Sequence, residues 1–241
     1  MGSFFKAFFP YLVTAFCSPF FMPKAVLSVD FDSARNAMVE DQIKRRGIRD
    51  KVVLQALLRV PRHLFVEPGF LSRAYSDSAL PIKENQTISQ PYIVALMTQS
   101  AMLNADDRVL EIGTGSAYQA AVLARLCRRL YSIERHPALL KDAEDRFKKL
   151  GLVNITTQPG DGSLGWPEQA PFERIMVTAA AADVPETLLG QLGEGGIMIV
   201  PVGLDENDQR LLKVRKGETD IETEDLGATR FVPLIAGPPG P

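Results

Sequence analysis

Two glycines and two acids follow apolar runs in the middle of the chain, in a pattern typical of a nucleoside-binding turn. The segment Val109–Gln119 reads VLEIGTGSAYQ, with Glu111 inside the apolar run and Gly113 and Gly115 directly after it. Glycine tolerates positive φ and has no Cβ, so a ligand can lie against the backbone where a strand turns into a helix. Glu134 ends the next apolar run, about 20 residues later, where an acid at a strand tip can accept both hydroxyls of a ribose. The spacing therefore predicts a site for a cofactor that contains a nucleoside.

The residues around the glycines favour S-adenosylmethionine (SAM) over a dinucleotide. A dinucleotide fingerprint reads Gly-x-Gly-x-x-Gly or Ala, and its last small residue lets helix and strand close around a pyrophosphate. Tyr118 occupies that position here. Glu111 instead gives Glu-x-Gly-x-Gly, which resembles the pattern of class I methyltransferases. SAM has cationic sulfonium and ammonium groups and no phosphate, so an acid at the turn suits it better than it suits NAD. An ordinary α/β turn with incidental acids is the bland alternative, and a dinucleotide oxidoreductase is the least favoured function.

Three other loops carry polar or small residues where strands are predicted to end or helices to begin. An aspartate between glycines, Asp161 in Gly160–Gly162, can offer its carboxylate to an adenine amine, although such a sequence is more often a plain turn. The small residues of Thr178–Ala181 leave space for a substrate chain. Gln86–Gln90 is a polar loop ahead of a helix. Ligands of open parallel sheets bind outside the carboxyl ends of the strands, so the loops that follow predicted strands are expected to meet.

Apolar runs and helical spacings alternate along the second half of the chain. The predicted strands are Arg108–Ile112, Leu130–Glu134, Asn154–Thr157, Arg174–Thr178, Gly196–Pro201 and Leu211–Arg215. The predicted helices between them are Ala117–Arg128, Pro137–Leu150 and Pro185–Leu192. Strands that alternate with helices of about 10 to 15 residues form a parallel sheet covered on both faces. The sequence therefore predicts an α/β fold with a Rossmann-like, doubly wound, mostly parallel sheet.

Different elements are predicted on either side of this core. Ala34–Arg46 and Asp50–Arg59 have helical spacing, and Gly47 ends the first of them, so an N-terminal helical subdomain is expected. The end of the chain has no helical pattern, and Arg210–Val214 and Ala228–Leu234 are expected to pair as antiparallel strands. We expect a single domain over residues 29–241, with a helical prelude and active-site loop at 29–100 and the SAM-binding core and C-terminal strands at 101–241.

The composition fits an enzyme domain, and it argues against a nucleic-acid partner and against a metal site or a Cys/His nucleophilic pair. A formal net charge of −2 and the lack of a basic stripe with interleaved aromatics argue against a nucleic-acid partner. Cys17 and Cys127 lie far apart, and His63 and His136 are the only histidines. We therefore expect neither a metal site nor a Cys/His nucleophilic pair.

The first 28 residues differ from the rest of the chain. A Phe-rich apolar run follows Lys6 and is interrupted by Pro10 and Pro19, which makes it too broken for a membrane span of about 20 residues. Three interpretations are open: an export signal cleaved near Ser28, a hydrophobic arm packed on the domain, or extra residues from an upstream start codon. No stable membrane association is expected.

The segments outside the glycine turn strengthen a resemblance to one family, the protein-L-isoaspartate O-methyltransferases. The matching segments are RVPRHLFV (Arg59–Val66), QTISQP (Gln86–Pro91), VLEIGTGSAYQ, GDG, PFERIMVTAAA (Pro171–Ala181), LGEGGIMIVPVG (Leu192–Gly203) and RFVPL (Arg230–Leu234). The resemblance covers about Asp30 to Gly237 and leaves the first 28 residues out. It implies a cytoplasmic enzyme that methylates the free α-carboxylate of L-isoaspartyl residues, and less readily of D-aspartyl residues, in damaged proteins and peptides. The ester then collapses to a succinimide, whose hydrolysis restores some normal linkages.

The resemblance also implies roles for individual residues. Ser89 matches the active-site serine, and Thr87 and Ile88 lie in the loop that closes over cofactor and substrate. The matching cofactor positions are Glu111, Gly113, Gly115, Glu134, Asp161 and Gly162. One departure is Ala117, where many members have glycine; we expect altered packing there, since alanine fits a helix start. The tail IAGPPGP after Leu234 offers no obvious polar contact to the cofactor. No sequence motif indicates the oligomeric state, and we expect a monomer.

The chemistry of a carboxylate acceptor agrees with the residues present. A carboxylate with a reference pKa of about 3.5 is ionised at neutral pH and needs no general base, so the lack of a Ser/His/Asp triad is expected. In-line positioning of the reacting atoms can lower the barrier by roughly 7 to 11 kcal/mol, and Ser89 is the candidate to orient the acceptor. Two alternatives stay open: a methyltransferase for another carboxylate, and a noncatalytic SAM-binding or damage-binding sensor anchored by its N-terminal arm.

Overall fold

The structure is a computed structural model that describes residues 1–2 and 30–237, and the chain from residue 30 to 100 is mainly helical. Helix α1 (Phe31–Ala37) continues as a π-helix (Met38–Ile43) and a 3₁₀ turn (Lys44–Arg46), and α2 follows at Lys51–Arg59. Two 3₁₀ helices come next, Arg62–Phe65 and Pro68–Arg73. Gly47, with φ 99°, ends the first helical segment, and the Asp50 carboxylate caps α2. Both predicted N-terminal helices are confirmed. The three interpretations of residues 1–28 fall on a segment that, apart from its first two residues, lies outside the described residues.

A short hairpin and a helix separate this region from the sheet. Strands β1 (Leu80–Pro81) and β2 (Thr87–Ile88) pair antiparallel, and α3 covers Pro91–Ser100. Glu84 and Asn85 have φ 56° and 54°, and the Gln86 N–H donates to the Lys83 carbonyl oxygen, which defines a type I′ turn. The hairpin therefore projects as a tight unit, and its second strand leads directly into the loop at residue 89.

Seven strands form the main sheet, with three helices between them. In chain order the elements are β3 (Arg108–Ile112), α4 (Tyr118–Leu123), β4 (Arg129–Glu134), α5 (Pro137–Lys149), β5 (Ile155–Pro159), β6 (Phe172–Val177), α6 (Glu186–Gly190), β7 (Leu192–Val202), β8 (Arg210–Lys216) and β9 (Ile221–Ala228). Two 3₁₀ helices, Gly162–Leu164 and Pro167–Gln169, lie between β5 and β6. The strand order is β5-β4-β3-β6-β7-β8-β9, parallel up to β7 and antiparallel from there. This is the predicted doubly wound, mostly parallel sheet.

The core lies on both faces of this sheet. Val109 of β3 belongs to the larger cluster, which includes α2, α3 and α4, while Leu110 and Ile112 belong to a second cluster on the other face with Leu188 of α6. Successive side chains of a strand point to opposite faces, so a strand buried on both sides reads as one apolar run. The strand order reverses between β4 and β6, with β3 at the turning point. The carboxyl ends of β3, β4 and β6 are where a ligand site is expected in this topology.

The predicted antiparallel pairing at the C-terminus is right for one strand and wrong for its partner. β8 pairs with β9 (Ile221–Ala228), and only Ala228 of the predicted segment Ala228–Leu234 belongs to a strand. β9 is an exposed, charged edge strand without apolar alternation, so its sequence gave little strand signal. The apolar residues after it serve a different purpose: Phe231 packs into the larger cluster, and the segment crosses the carboxyl end of β6.

Two further boundaries and one membrane finding complete the fold. The helix predicted at Ala117–Arg128 is shorter and covers only Tyr118–Leu123. The fifth predicted strand, Gly196–Pro201, is longer than predicted, since β7 covers Leu192–Val202. Within the described residues, no helix combines the length and the apolar character that crossing a membrane would require.

Candidate active site

A cleft lies at the carboxyl ends of β3, β4 and β6; together with the open solvent at its mouth it encloses about 980 Å³. Seven of the nine predicted site residues line it: Thr87, Ile88, Ser89, Gly113, Gly115, Glu134 and Gly162. The other two, Glu111 and Asp161, are not among the described residues that line the cleft. The structure thus brings the polar loop before α3 and the glycine turn after β3 to one place, although about 20 residues separate them.

The glycine turn has a conformation that depends on its glycines. Gly113 has φ 93°, and a Cβ added there would collide with the Thr178 side chain. Thr178 Oγ1 donates to the carbonyl oxygens of Ile112, at 2.8 Å, and Gly113, at 2.7 Å, so the small-residue loop after β6 holds this turn in place. Gly115 has φ 50°, and no atom lies within 4 Å of the position of an added Cβ. The backbone here is open to close approach by a ligand.

The backbone conformation of Ala117 is not the one expected of an alanine at a helix start. It precedes α4 with φ 70° and ψ 1°, in the left-handed region, and it is fully buried. A Cβ in this region meets the following carbonyl oxygen, which costs roughly 1–2 kcal/mol for an L-residue. The departure from glycine therefore appears as backbone strain, where we expected altered packing.

The Glu134 carboxylate is anchored at both oxygens by backbone groups. Oε2 accepts the Gly115 N–H at 2.7 Å, and Oε1 accepts the His136 N–H at 2.8 Å. Only 4% of the residue is exposed, at the wall of the cleft. Each carboxylate oxygen has a second lone pair, so the group can still accept two hydroxyl donors. This geometry fits the predicted recognition of a ribose.

Glu111 lies beneath the turn instead of facing the cleft. It is fully buried, Ser132 Oγ donates to its Oε2 at 2.5 Å, and its Oε1 has no hydrogen-bond partner among the described residues. Burial raises the pKa of the Glu111 carboxyl to about 8. Thr114 Oγ1, 2.7 Å from Ser132 Oγ, connects this carboxyl to the cleft wall. The hydrogen-bonded connection between Glu111 and the cleft wall therefore runs through Ser132 and Thr114.

Asp161 has its carboxylate engaged by the chain itself. Oδ1 accepts the N–H and the hydroxyl of Ser163, and so caps the 3₁₀ helix at Gly162–Leu164. Oδ2 accepts the Gly237 N–H at 2.6 Å, and Arg135 Nη1 donates to the Gly237 carbonyl oxygen at 2.7 Å. The C-terminal tail therefore meets a residue predicted to bind adenine, a polar contact that the sequence did not predict.

Ser89 stands between β2 and α3 with its backbone held and its side chain available. Arg62 Nη2 donates to the Ser89 carbonyl oxygen at 2.8 Å. The Ser89 hydroxyl has no hydrogen-bond partner among the described residues, and it lines the cleft. The hairpin before it is tied to α5 by an ion pair between Lys83 and Asp142 at 2.6 Å. A hydroxyl in this position can donate to an anionic acceptor without first losing a protein partner.

Sequence reasoning missed several residues that complete the cleft. Arg135 and His136 follow Glu134 directly and line it, as do Tyr118 and the segment 231–235. A signal existed for some of them: Arg135 and His136 adjoin a predicted strand tip, and 231–234 lie in the RFVPL segment. Arg62 does not line the cleft, and a lone arginine before a 3₁₀ helix gives no functional signal.

The matching family model and two similar relatives belong to one family. A family model described as protein-L-isoaspartate(D-aspartate) O-methyltransferase matches residues 33–238. The protein-L-isoaspartate O-methyltransferase of Parvibaculum lavamentivorans is 54% identical over 197 residues, which are 81% of this chain and 89% of the relative. Protein-L-isoaspartate O-methyltransferase 1 of Syntrophobacter fumaroxidans is 52% identical over 207 residues, 86% of this chain and 96% of the relative.

Solved structures agree with the sequence relatives. One named protein-L-isoaspartate O-methyltransferase has a TM-score of 0.74 and 32% identity, and the match covers 86% of this chain and 67% of that one. A crystal structure of a Plasmodium falciparum protein described by the same name, in complex with S-adenosyl-L-homocysteine, has a TM-score of 0.72 and 25% identity. That match covers 83% of this chain and 98% of the other.

Proposed function

Because the chain belongs to the protein-L-isoaspartate(D-aspartate) O-methyltransferase family, we propose that it methylates the free α-carboxylate of L-isoaspartyl residues, and less readily of D-aspartyl residues, in damaged proteins and peptides. SAM is the methyl donor. The observation that carries the proposal is the meeting of Ser89 with the turn at Gly113 and Gly115 in one cleft. A donor site alone would fit many methyltransferases, whereas the Gln86–Gln90 loop joins it to an acceptor site.

The donor site is proposed to use residues from three strand tips. Glu134 accepts the ribose hydroxyls through the lone pairs that its two backbone contacts leave unused. Gly113, Gly115 and Gly162 keep the wall free of side chains. Asp161 accepts from the adenine amine; its Oδ2 already accepts one N–H from the tail and retains a second lone pair.

The remaining donor-site residues enclose or support the cofactor. Thr87 and Ile88 form the strand of the hairpin that faces the cleft, and we propose that they cover the bound cofactor. Glu111 supports the floor of the site through Ser132 and Thr114. Covering the cofactor would exclude water from the cleft, and the loss of water would strengthen the polar contacts inside it.

The acceptor chemistry requires orientation and no base. When bound, SAM supplies a methyl group on a sulfonium, which the carboxylate oxygen takes as the carbon–sulfur bond breaks and sulfur keeps the electron pair. Ser89 is proposed as the catalytic residue that donates a hydrogen bond to the acceptor carboxylate and fixes its approach. Holding reacting atoms in line is the contribution that this site can make, roughly 7 to 11 kcal/mol in favourable cases.

Location, domain extent and assembly belong to the same proposal. We infer a cytoplasmic monomer with one methyltransferase domain over residues 29–241, supported by the family's character and by the two clusters that share one sheet. The competing interpretation is export to the periplasm by residues 1–28. N-terminal sequencing of the mature protein separates the two, because a chain that starts after Ser28 would indicate a cleaved export signal.

Methyl transfer from labelled SAM to two matched peptides tests the function. The peptides differ only in an isoaspartyl or a normal aspartyl linkage, and SAM binding is measured on the same preparation. Label on the isoaspartyl peptide alone is the expected result. If neither peptide is labelled although SAM binds, the proposed function is wrong, and the protein would instead methylate another carboxylate or act as a noncatalytic sensor.

A further inference from the structure

Arg62 is a fully buried arginine outside the cleft, and its contacts lead directly to the proposed catalytic serine. None of its surface is exposed, and it begins the 3₁₀ helix Arg62–Phe65. No carboxylate among the described residues pairs with it: its guanidinium donates to two backbone carbonyls. A buried charge without an ion-pair partner is costly unless hydrogen bonds satisfy it, so the two carbonyl contacts are what stabilise this guanidinium.

The two carbonyls belong to segments that lie far apart along the chain. Nε donates to the Ala74 carbonyl oxygen at 2.8 Å, and Nη2 donates to the Ser89 carbonyl oxygen at 2.8 Å. Hydrogen bonds from a charged donor are stronger than neutral ones, and the planar guanidinium fixes the directions of both bonds. Arg62 thus sets the distance between the end of the 3₁₀ segment before Ala74 and the loop that carries Ser89.

The same guanidinium also contacts the cofactor side of the cleft. Its Cζ lies 4.8 Å from the centroid of the Tyr118 ring. Tyr118 starts α4 directly after the glycine turn and lines the cleft. Arg62 Nη1 and the Tyr118 hydroxyl are both buried without a hydrogen-bond partner among the described residues. One side chain therefore lies between the serine loop and the helix that follows the donor-binding turn.

We propose that Arg62 is a positioning residue that fixes the Ser89 loop relative to the donor-binding turn, so that Ser89 can orient the acceptor carboxylate. The inference rests on the proposed function of Ser89. Arg62 touches neither the acceptor nor the cofactor in this role. Its contribution is the geometry of the loop, to which in-line transfer is sensitive, since a displacement of about 1 Å can cost roughly 100-fold in rate.

Kinetics of Arg62→Met and Arg62→Lys on the isoaspartyl peptide test this role, with Arg59→Met as the matched control. Arg59 is exposed at the end of α2, three residues earlier in the chain. We expect kcat to fall about 10- to 100-fold in Arg62→Met while the Kd for SAM stays within about twofold of wild type. Arg62→Lys keeps a buried cation but replaces the planar guanidinium, whose donor directions are fixed, with a point-like ammonium on a flexible stem, so kcat should fall there as well.

A double-mutant cycle with Ser89→Ala separates positioning from general structural support. If Arg62 acts through the Ser89 hydroxyl, Arg62→Met should lower kcat by no more than about twofold once Ser89 is alanine. If Arg62→Met lowers kcat equally with and without the Ser89 hydroxyl, the inference is wrong. It is also wrong if Arg62→Met and the control Arg59→Met have the same kcat. Loss of SAM binding together with activity in both Arg62 variants would also overturn it, because the residue would then hold the fold. A wild-type protein that does not methylate the isoaspartyl peptide would instead remove the proposed function, and this inference with it.

Discussion

The Glu134 carboxylate accepts the backbone N–H of Gly115 at 2.7 Å, which ties the acid at the tip of β4 to the glycine turn after β3. The two features that the sequence suggests separately for cofactor binding are thus parts of one hydrogen-bonded unit. The other oxygen of the Glu134 carboxylate accepts the His136 N–H at 2.8 Å, so the orientation of the carboxylate is fixed before any ligand binds. Groups held in their binding orientation lose less entropy when the ligand binds.

Replacing Glu134 by glutamine should weaken SAM binding by about tenfold or more. A carboxylate can accept both backbone N–H groups, whereas an amide must turn its NH₂ toward one of them. The ribose then loses a hydrogen bond to a charged acceptor, which is worth about 1.5–3 kcal/mol, and the unsatisfied backbone donor leaves the side chain less firmly oriented. Calorimetric titration with SAM measures the effect.

Glu173→Gln is the matched control for Glu134→Gln. The Glu173 carboxylate also accepts a backbone N–H, that of Arg108 at 2.7 Å, but it lies at the opposite end of the parallel strands. SAM affinity should stay unchanged in this variant. Equal affinities in the two variants would contradict the assignment of Glu134 to the donor site.

The buried Glu111 predicts an unusual pH dependence of stability. Its carboxyl has a folded-state pKa of about 8 against a reference value of 4.5, because burial disfavours the charged form. Between these pH values the folded protein keeps a proton that the unfolded chain loses. The contribution of this group therefore lowers the unfolding free energy as pH rises from about 4.5 to 8, by at most about 1.4 kcal/mol per pH unit, and is constant above.

Glu111→Gln isolates this effect, because the amide does not ionise. We expect the variant to gain stability relative to wild type as the pH rises through this window. Urea unfolding of both proteins at about pH 5, 7 and 9 measures the difference. A difference that is independent of pH would show that Glu111 titrates normally in the folded protein.

The strained conformation of Ala117 predicts that Ala117→Gly stabilises the protein by about 1 kcal/mol. Glycine removes the penalty of a Cβ at φ 70°, and this gain exceeds its extra entropy in the unfolded chain. Denaturant unfolding is the measurement. Ala121→Gly, four residues on and inside α4, is the control and should destabilise by roughly 0.5–1 kcal/mol or more. Loss of stability in both variants would rule out strain at Ala117.

The sequence predicted the sheet and the turn at Gly113 and Gly115 because both follow from local patterns: apolar runs, helical spacing and glycines at a strand end. The positions of Arg62 and Gly237 could not be predicted in this way. Arg62 contacts Ser89 across 27 residues and Gly237 contacts Asp161 across 76, and neither pairing leaves a periodic trace. β9 was not predicted for another reason: an exposed edge strand does not need alternating apolar residues, so its sequence lacks the usual strand pattern.

The Ser89 hydroxyl should affect turnover and leave donor binding intact. Ser89→Ala removes a hydrogen bond to a charged acceptor, about 1.5–3 kcal/mol, so kcat on the isoaspartyl peptide should fall roughly 10- to 100-fold. The SAM Kd should change little, because Ser89 is proposed to contact the acceptor and the Arg62 contact uses the carbonyl oxygen that alanine keeps. Ser100→Ala at the end of α3 is the control, with unchanged kcat expected. Wild-type turnover in Ser89→Ala would assign the orientation of the carboxylate to another group in the cleft.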